Sequence, residues 1–200
     1  MSNRKPELVA MAPPKKPELT HPGLIPAGTF GAGVHVPAAL RREILIHAAR
    51  VTCPAFATER HAPALGLQGP SGAGKTFSAL ATLSQAFLDT VLVNSASAFS
   101  GSEEGAPIRG LEELAAFVRD RTERTGGVLA VVLDDLDVVI SKPPGVETTI
   151  NQQLFCGAWQ HLLDTGGFKA AYGTSVPIYV TGNAFDEVRG PAMRAGRVRF

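Results

Sequence analysis

One glycine-rich octapeptide combines the residue types that could bind a polyphosphate. Its residues are Gly69, Pro70, Ser71, Gly72, Ala73, Gly74, Lys75 and Thr76. They fit the pattern G-x-x-x-x-G-K-[ST], in which glycines let successive backbone N–H groups face the phosphates. The Lys75 ammonium would reach the β- and γ-phosphates, and the Thr76 hydroxyl is placed to ligate Mg²⁺. We therefore expect all eight residues to contact a nucleotide.

The flanking sequence gives this octapeptide the setting that a phosphate-binding loop requires. Residues Ala64–Gln68 form a short run typical of a buried strand, and residues 76–88 carry apolar side chains at helical spacing. A strand, a glycine loop and a helix place a helix N-terminus at the phosphates, where its partial positive charge attracts anions. The alternative, a glycine-rich turn that binds nothing, is disfavoured by this context. The octapeptide predicts a nucleotide-binding protein.

Two acids follow the most apolar run of the chain. Residues 128–133 are apolar without interruption, which is typical of a central parallel strand covered by helices on both faces. Ligands bind off the carboxyl ends of such strands. Asp134 would therefore hold Mg²⁺, directly or through water, and Asp135 would orient and deprotonate the attacking water. Strand-end acids alone are often caps or turn formers, but the octapeptide favours catalysis. A catalytic role for Asp137 is less well supported than for the other two acids, and a structural or subunit-contact role is equally possible.

An amide and two arginines complete the set of candidate catalytic residues. Asn183 follows a further apolar strand, where its amide could lie between the acids and the γ-phosphate and hold the water in line. Arg194 and Arg197 lie three residues apart beside a turn, and guanidinium groups bind phosphate bidentately. We expect them to reach the nucleotide of a neighbouring subunit. Surface arginines without a partner are the alternative.

The elements that position these residues alternate between strands and helices. The predicted strands are residues 64–68, 91–94, 128–133 and 176–181, and the predicted helices are residues 36–50, 76–88, 110–122 and 148–163. This order predicts an α/β protein, a three-layer P-loop NTPase sandwich with a parallel sheet. Residues 1–33 are rich in proline and contain two Pro-Glu-Leu repeats, so we expect a flexible N-terminal arm. A partner-docking role for the repeats is the less favoured alternative.

The composition excludes several classes of protein. The net charge is +1, with 44% apolar and 18% charged residues, so nothing favours nucleic acid or an anionic membrane as the partner. No apolar run is long enough to span a bilayer, and the N-terminus lacks the apolar segment of a secretory signal. Cys53 and Cys156 have no metal-like spacing, which favours reduced thiols. These features predict a cytoplasmic protein.

Together, the octapeptide, the acidic strand end, the strand-end asparagine and the paired arginines resemble the AAA+ ATPases, and within them the Rubisco activases. The resemblance runs from about residue 33 to the end of the chain, so residues 34–200 would form the large, nucleotide-binding AAA+ subdomain. It implies that Lys75 and Thr76 belong to the Walker A motif and that Asp134 and Asp135 form Walker B. Asn183 matches sensor 1.

The resemblance also implies contacts outside the chain. Arg194 and Arg197 match the arginines that reach the neighbouring subunit's nucleotide. Residues 95–105, with Phe99, match a first pore loop that grips a threaded substrate, and residues 141–149 match a second. Burial of Phe99 in the core of its own subunit is an equally supported alternative.

Three departures from the family pattern bear on function. The activase pattern has Asn at the position of Asp134, and most AAA+ proteins have Glu at the position of Asp135. The family also continues beyond Phe200 into a helical lid, so we expect the subdomain to be incomplete at its C-terminus. The resemblance implies ATP and Mg²⁺ as cofactors, hydrolysis at subunit interfaces, a hexameric ring where a lid is supplied, and a protein client, with Rubisco as one candidate. The alternatives are a nucleotide-dependent scaffold with little hydrolysis and, less favoured by the charge, a DNA-acting loader.

Overall fold

The computed structural model describes residues 19–56, 61–99, 103–141, 149–185 and 191–200. Its strands are β1 (Leu24–Ile25), β2 (Ala64–Gln68), β3 (Asp89–Asn94), β4 (Leu129–Asp134), β5 (Ile178–Gly182) and β6 (Val198–Arg199). Its helices are α1 (Ala38–Thr52), α2 (Lys75–Gln85), α3 (Ser95–Phe99), α4 (Ala106–Thr125), α5 (Leu136–Ile140) and α6 (Ile150–Asp164), with short 3-10 turns at Pro54–Phe56 and Pro191–Met193.

The six strands form one mostly parallel sheet in the order β1-β3-β4-β5-β2-β6. The short edge strand β1 pairs antiparallel with β3, and every other neighbouring pair is parallel. In the register, Asn94 lies opposite Asp134, and Gln68 lies opposite Gly182. The strands β2, β3, β4 and β5 therefore end at one common edge of the sheet, which we call the carboxyl edge. Loops that leave this edge are the places where an α/β sheet binds ligands.

Helices cover both faces of the sheet, so the fold is a mixed α/β sandwich of the Rossmann-like kind. The alternation of side chains along β4 sends Val131 and Leu133 to one face, where they pack with residues of α3, α4, α5 and α6. It sends Val132 to the other face, against α1 and α2. Residues 129–133 of β4 are therefore buried on both faces of the sheet, as their unbroken apolar run predicted.

Element boundaries differ from the predicted ones where short or irregular segments intervene. The helix predicted at residues 110–122 begins at Ala106, because Gly105 in the left-handed conformation and Pro107 in the first turn suit a helix start. The segment expected to be a loop at residues 95–105 opens with helix α3. Phe99, at the end of α3, is buried against Phe155 with the ring centroids 4.8 Å apart. The core alternative for Phe99 is therefore the one observed. Most of the suggested second pore loop, residues 142–148, lies outside the described residues.

The described part of the predicted arm packs against the sheet. Residues 19–33 cross the β3 edge, where Leu24 and Ile25 pair with β3. The Ala27 N–H donates to Asp89 Oδ1 at 3.0 Å, and the Phe30 N–H donates to Ser84 Oγ at 3.1 Å. This segment therefore differs from the free arm expected from its prolines. Its backbone N–H groups donate hydrogen bonds to side-chain oxygens of β3 and α2. Residues 1–18 lie outside the described part of the chain.

Candidate nucleotide-binding site

The glycine loop, residues 69–76, joins the end of β2 to the start of α2 at the carboxyl edge. Gly72 and Gly74 have φ near +77° and +78°, a left-handed conformation that strains residues with a Cβ. Gly74 caps α2 without any side-chain hydrogen bond. The first N–H groups of a helix have no partner inside the helix, so the start of α2 presents donors and a positive dipole end. The loop thus has the backbone form of an anion site.

Lys75 connects the loop to the end of β5. Its Nζ donates to Gly69 O at 2.8 Å, to Pro70 O at 3.0 Å and to Asn183 Oδ1 at 3.0 Å. The Gly69 N–H also donates to Gly182 O at 3.4 Å. Because β5 lies directly beside β2, two sequence-predicted residues that are 108 positions apart meet at one point.

Thr76 and Asp134 also meet at the carboxyl edge. The Thr76 hydroxyl donates to Asp134 Oδ1, and the Thr181 hydroxyl donates to the same oxygen at 2.6 Å. Thr181 Oγ1 in turn accepts the Asp135 N–H at 3.1 Å. Sequence reasoning missed Thr181, whose only signal was a polar residue at the end of an otherwise apolar strand. It joins the two predicted acids to β5.

The oxygen atoms gathered here fit a hard divalent cation. A hydroxyl and a carboxylate, from Thr76 and Asp134, are ligand types that Mg²⁺ prefers, and Mg²⁺ usually takes one or two protein ligands together with phosphates and water. Within the described ranges, no group of three or more His, Cys, Asp or Glu side chains could hold a metal ion. The donor set therefore suits Mg²⁺ that arrives with a phosphate rather than a metal held by protein alone.

Asp135 has an unusual backbone conformation, and its carboxyl group has a raised pKa. Its φ of 50° and ψ of 46° are left-handed, and it caps the N-terminus of α5. Non-glycine residues in this conformation are uncommon and are frequently found at functional sites. Burial raises the pKa of the Asp135 carboxyl, the charges of Asp134 and Asp137 raise it further, and Lys75 opposes them. A carboxylate with a raised pKa is a better proton acceptor.

The two arginines have different surroundings. Arg197 is half-buried and makes two parallel hydrogen bonds to Asp164 at the end of α6, Nε to Oδ1 and an NH2 group to Oδ2, both at 2.6 Å. The hydrogen bond from Arg197 lowers the pKa of Asp164. Arg194 is exposed. Arg197 precedes β6, which pairs with the first residues of β2, so about five strand residues, roughly 16 Å, separate it from the glycine loop.

Two cavities share Arg199 and Phe200 in their linings. One of about 350 Å³ includes Lys75 and Gln68 in its lining, with Leu40 of α1 and Phe200. A larger one of about 710 Å³ is lined by residues such as Arg50 and contains no residue of the glycine loop. The smaller cavity is the relevant one for the site because it opens beside Lys75, and its size is within the range of ligand pockets.

The chain is similar to known proteins both in sequence and in structure. It matches no protein-family model. It is 28% identical to a ribulose bisphosphate carboxylase/oxygenase activase of Anabaena sp. over 149 residues, which covers 67% of this chain and 34% of the activase. It is 24% identical to the chloroplastic activase B of Hordeum vulgare over 177 residues, which covers 83% of this chain and 40% of that protein. The chain thus spans at most about two fifths of these relatives.

A solved structure shares the fold. It is the HORMA:CdnC:Trip13 complex of E. coli, with a TM-score of 0.61 and 14% identity over 80% of this chain and 60% of that one. At this identity the likeness concerns the fold alone. The activase matches support a distant relationship to the AAA+ proteins. In the described part of the chain, no helix has the length and apolar character needed to cross a membrane.

Proposed function

We propose that this chain is the nucleotide-binding subdomain of an AAA+ ATPase and that residues 69–76 form its P-loop. One observation carries the proposal: Thr76 of the loop and Asp134 at the end of β4 share a hydrogen bond, and Lys75 contacts Asn183. Four residues from three separate segments of the sequence thereby form one cluster at the carboxyl edge. Such convergence is what Mg-ATP binding at an α/β sheet requires.

Each residue of the cluster has a distinct role in this proposal. The eight loop residues hold the phosphates, and Lys75 exchanges the loop carbonyls for phosphate oxygens. Thr76 and Asp134 would hold Mg²⁺, which neutralises charge on the β- and γ-phosphates when it is bound. Asp135 accepts a proton from water while the water oxygen bonds to the γ-phosphorus and the bond to ADP breaks. Asn183 holds that water in line.

The wider assembly is also part of the proposal. Arg194 is exposed, so it can reach the γ-phosphate in a neighbouring subunit, and we expect a ring in which each site is completed by the next subunit. The relatives named activases support a protein client, with Rubisco as one candidate. ATP hydrolysis at subunit interfaces would then remodel that client.

One observation favours a second candidate, a scaffold that binds nucleotide with little hydrolysis. The predicted base is Asp135, whose side chain is one methylene shorter than the glutamate of most AAA+ proteins, so its carboxylate reaches less far from β4. The two candidates share the same binding site and differ only in turnover.

The test is ATP affinity and turnover in matched lysine variants. Lys75→Ala should weaken ATP binding by roughly 10- to 100-fold, because it removes charge-assisted bonds to phosphate. Lys169→Ala is the control, since Lys169 also donates to a loop carbonyl, Gly166 O, but lies away from the carboxyl edge. Asp135→Asn should keep ATP binding and abolish hydrolysis. Equal ATP affinity in Lys75→Ala and wild type would refute the P-loop assignment.

A further inference from the structure

Asp137 is a buried carboxylate whose position needs a physical reason. Among the described residues it is the one Asp or Glu that is buried, with 7% of its surface exposed. A carboxylate removed from water is destabilising unless hydrogen bonds compensate it. Its place in α5, two residues after Asp135, puts it next to the proposed catalytic base. The sequence alone had left its role open, and its burial within its own subunit disfavours a subunit contact.

The partners of Asp137 lie on the segment that carries Asn183. Asp137 Oδ2 accepts the Asn183 N–H at 2.7 Å and the Ala184 N–H at 3.3 Å. Asn183 follows directly after the end of β5. The Asp137 carboxylate thus accepts a backbone hydrogen bond at the first position beyond the strand. Bonds from N–H groups to a charged oxygen are about twice as strong as neutral ones. They fix the backbone from which the Asn183 amide reaches Lys75.

The packing beside this contact leaves no room for a side chain at Gly182. A Cβ at Gly182 would lie 2.8 Å from Asp137 Cγ and 2.6 Å from the Phe185 ring. Gly182 does not have a positive φ, so it is required here for space rather than for its conformation. The second oxygen of Asp137, Oδ1, has no hydrogen-bond partner and faces this crowded strand end. The carboxylate is therefore held against the backbone by one oxygen.

We propose that Asp137 is a positioning residue, which holds the backbone of Asn183 and Ala184 so that the Asn183 amide stays at the carboxyl edge beside Lys75. This inference rests on the proposed function, because it assigns Asp137 a part in the same ATPase site. Through α5, the residue also links the end of β4, with Asp134 and Asp135, to the end of β5. The two strand ends then keep one fixed relative position during turnover.

A double-mutant cycle on the full chain tests this role. Asp137→Ala and Asn183→Ala should each lower kcat by roughly 10- to 100-fold, with ATP affinity within about threefold of wild type. The double variant should be no slower than Asn183→Ala, because residues that act as a unit are not additive. Asp137→Asn keeps an acceptor oxygen and should recover part of the lost kcat. Equal losses from Asp137→Ala in the wild-type and Asn183→Ala backgrounds would overturn the proposal.

Two further readouts separate positioning from stability and from the proposed function. Thr122 is the control, since it is buried and accepts the Ala171 N–H at 2.9 Å away from the site. Thr122→Val should lose stability while keeping kcat, and a matching loss of kcat would make Asp137 merely structural. Without nucleotide, Asp137→Ala should speed amide exchange at Asn183 and Ala184 by roughly 10-fold or more. Unchanged exchange would overturn the inference, whereas failure of ATP binding would affect the proposed function alone.

Discussion

At the scale of single residues, the site depends on hydroxyl groups of β5 and α2 that donate hydrogen bonds to the end of β4. Thr181 donates to Asp134 and accepts from the backbone of Asp135, so one side chain of β5 orients both acids at the end of β4. The Thr76 hydroxyl reaches the same Asp134 oxygen from α2. Asp134 thus faces the glycine loop.

This arrangement predicts the effect of removing one hydroxyl. Thr181→Val should shift the Mg²⁺ dependence of ATP hydrolysis to roughly 10-fold higher concentration, because Asp134 loses the donor that orients it. Thr181→Ser retains the hydroxyl and should behave like wild type. A Mg²⁺ titration of the ATPase rate at fixed ATP measures both variants. An unshifted titration in Thr181→Val would show that the Thr181 hydroxyl does not orient Asp134 for Mg²⁺ binding.

The sequence predicted the residues that a local pattern identifies and missed those defined by long-range contacts. The glycine loop was recognisable because its chemistry lies within eight consecutive residues, and the acids after β4 follow a conspicuous apolar run. The contacts of Thr181 and the role of Asp137 depend on β5 lying between β2 and β4. Local periodicity does not predict the order of strands in a sheet. The position of Arg197 against Asp164 likewise depends on tertiary packing.

At the scale of elements, the Arg197–Asp164 pair ties the turn before β6 to the end of α6. The Arg197 carbonyl also accepts the Ala64 N–H at 3.3 Å, so the residue is joined to β2 as well. Arg194 lies on the same turn and is exposed. The pair therefore anchors the turn that carries Arg194.

A charge exchange tests whether Arg197 acts through this pair. Arg197→Ala and Asp164→Ala should lower the ATPase rate to a similar extent, since each releases the turn that carries Arg194. The double exchange Arg197→Asp with Asp164→Arg should restore part of the rate. If Arg197 works only in a neighbour's site, Asp164→Ala will leave the rate unchanged and the exchange will not rescue it.

Element boundaries show where local patterns stop being informative. Strands β2 and β4 were predicted to within one residue, because their apolar runs are bounded by glycine or acid. Helix α3 was missed, since four of its five residues are Ser or Ala and such a short segment carries no clear helical period. The pairing of residues 24–25 with β3 was also missed, because two residues cannot show the alternation of a strand.

At the scale of the whole molecule, a buried histidine makes stability depend on pH. His47 of α1 is buried against Tyr179, and its Nε2 atom has no hydrogen-bond partner. Burial lowers the pKa of His47 from 6.5 to about 4. Backbone hydrogen bonds with Ile178 and Pro63 oppose this shift, and the charges of His61 and Arg50 add to it. Between these two values the unfolded chain binds a proton that the folded chain does not. Acid therefore favours unfolding in this range.

The free energy of unfolding should fall by about 3 kcal/mol between pH 6.5 and pH 4 through His47 alone, at about 1.4 kcal/mol per unit of pKa. His47→Leu should abolish this part of the pH dependence. His161→Gln, which changes an exposed histidine of α6, should retain it. Urea unfolding midpoints at pH 7 and pH 5 provide the comparison. An equally steep acid loss in His47→Leu would show that other groups are responsible.

The most direct test of the whole account is the ATPase rate per subunit as protein concentration rises, with the oligomeric state measured in ATP and in ADP. If exposed Arg194 completes the site of a neighbouring subunit, the rate per subunit should rise with assembly, and Arg194→Ala should remove that rise while keeping ATP binding. A monomer that binds ATP tightly, with negligible turnover at every concentration, would contradict an ATPase that works between subunits.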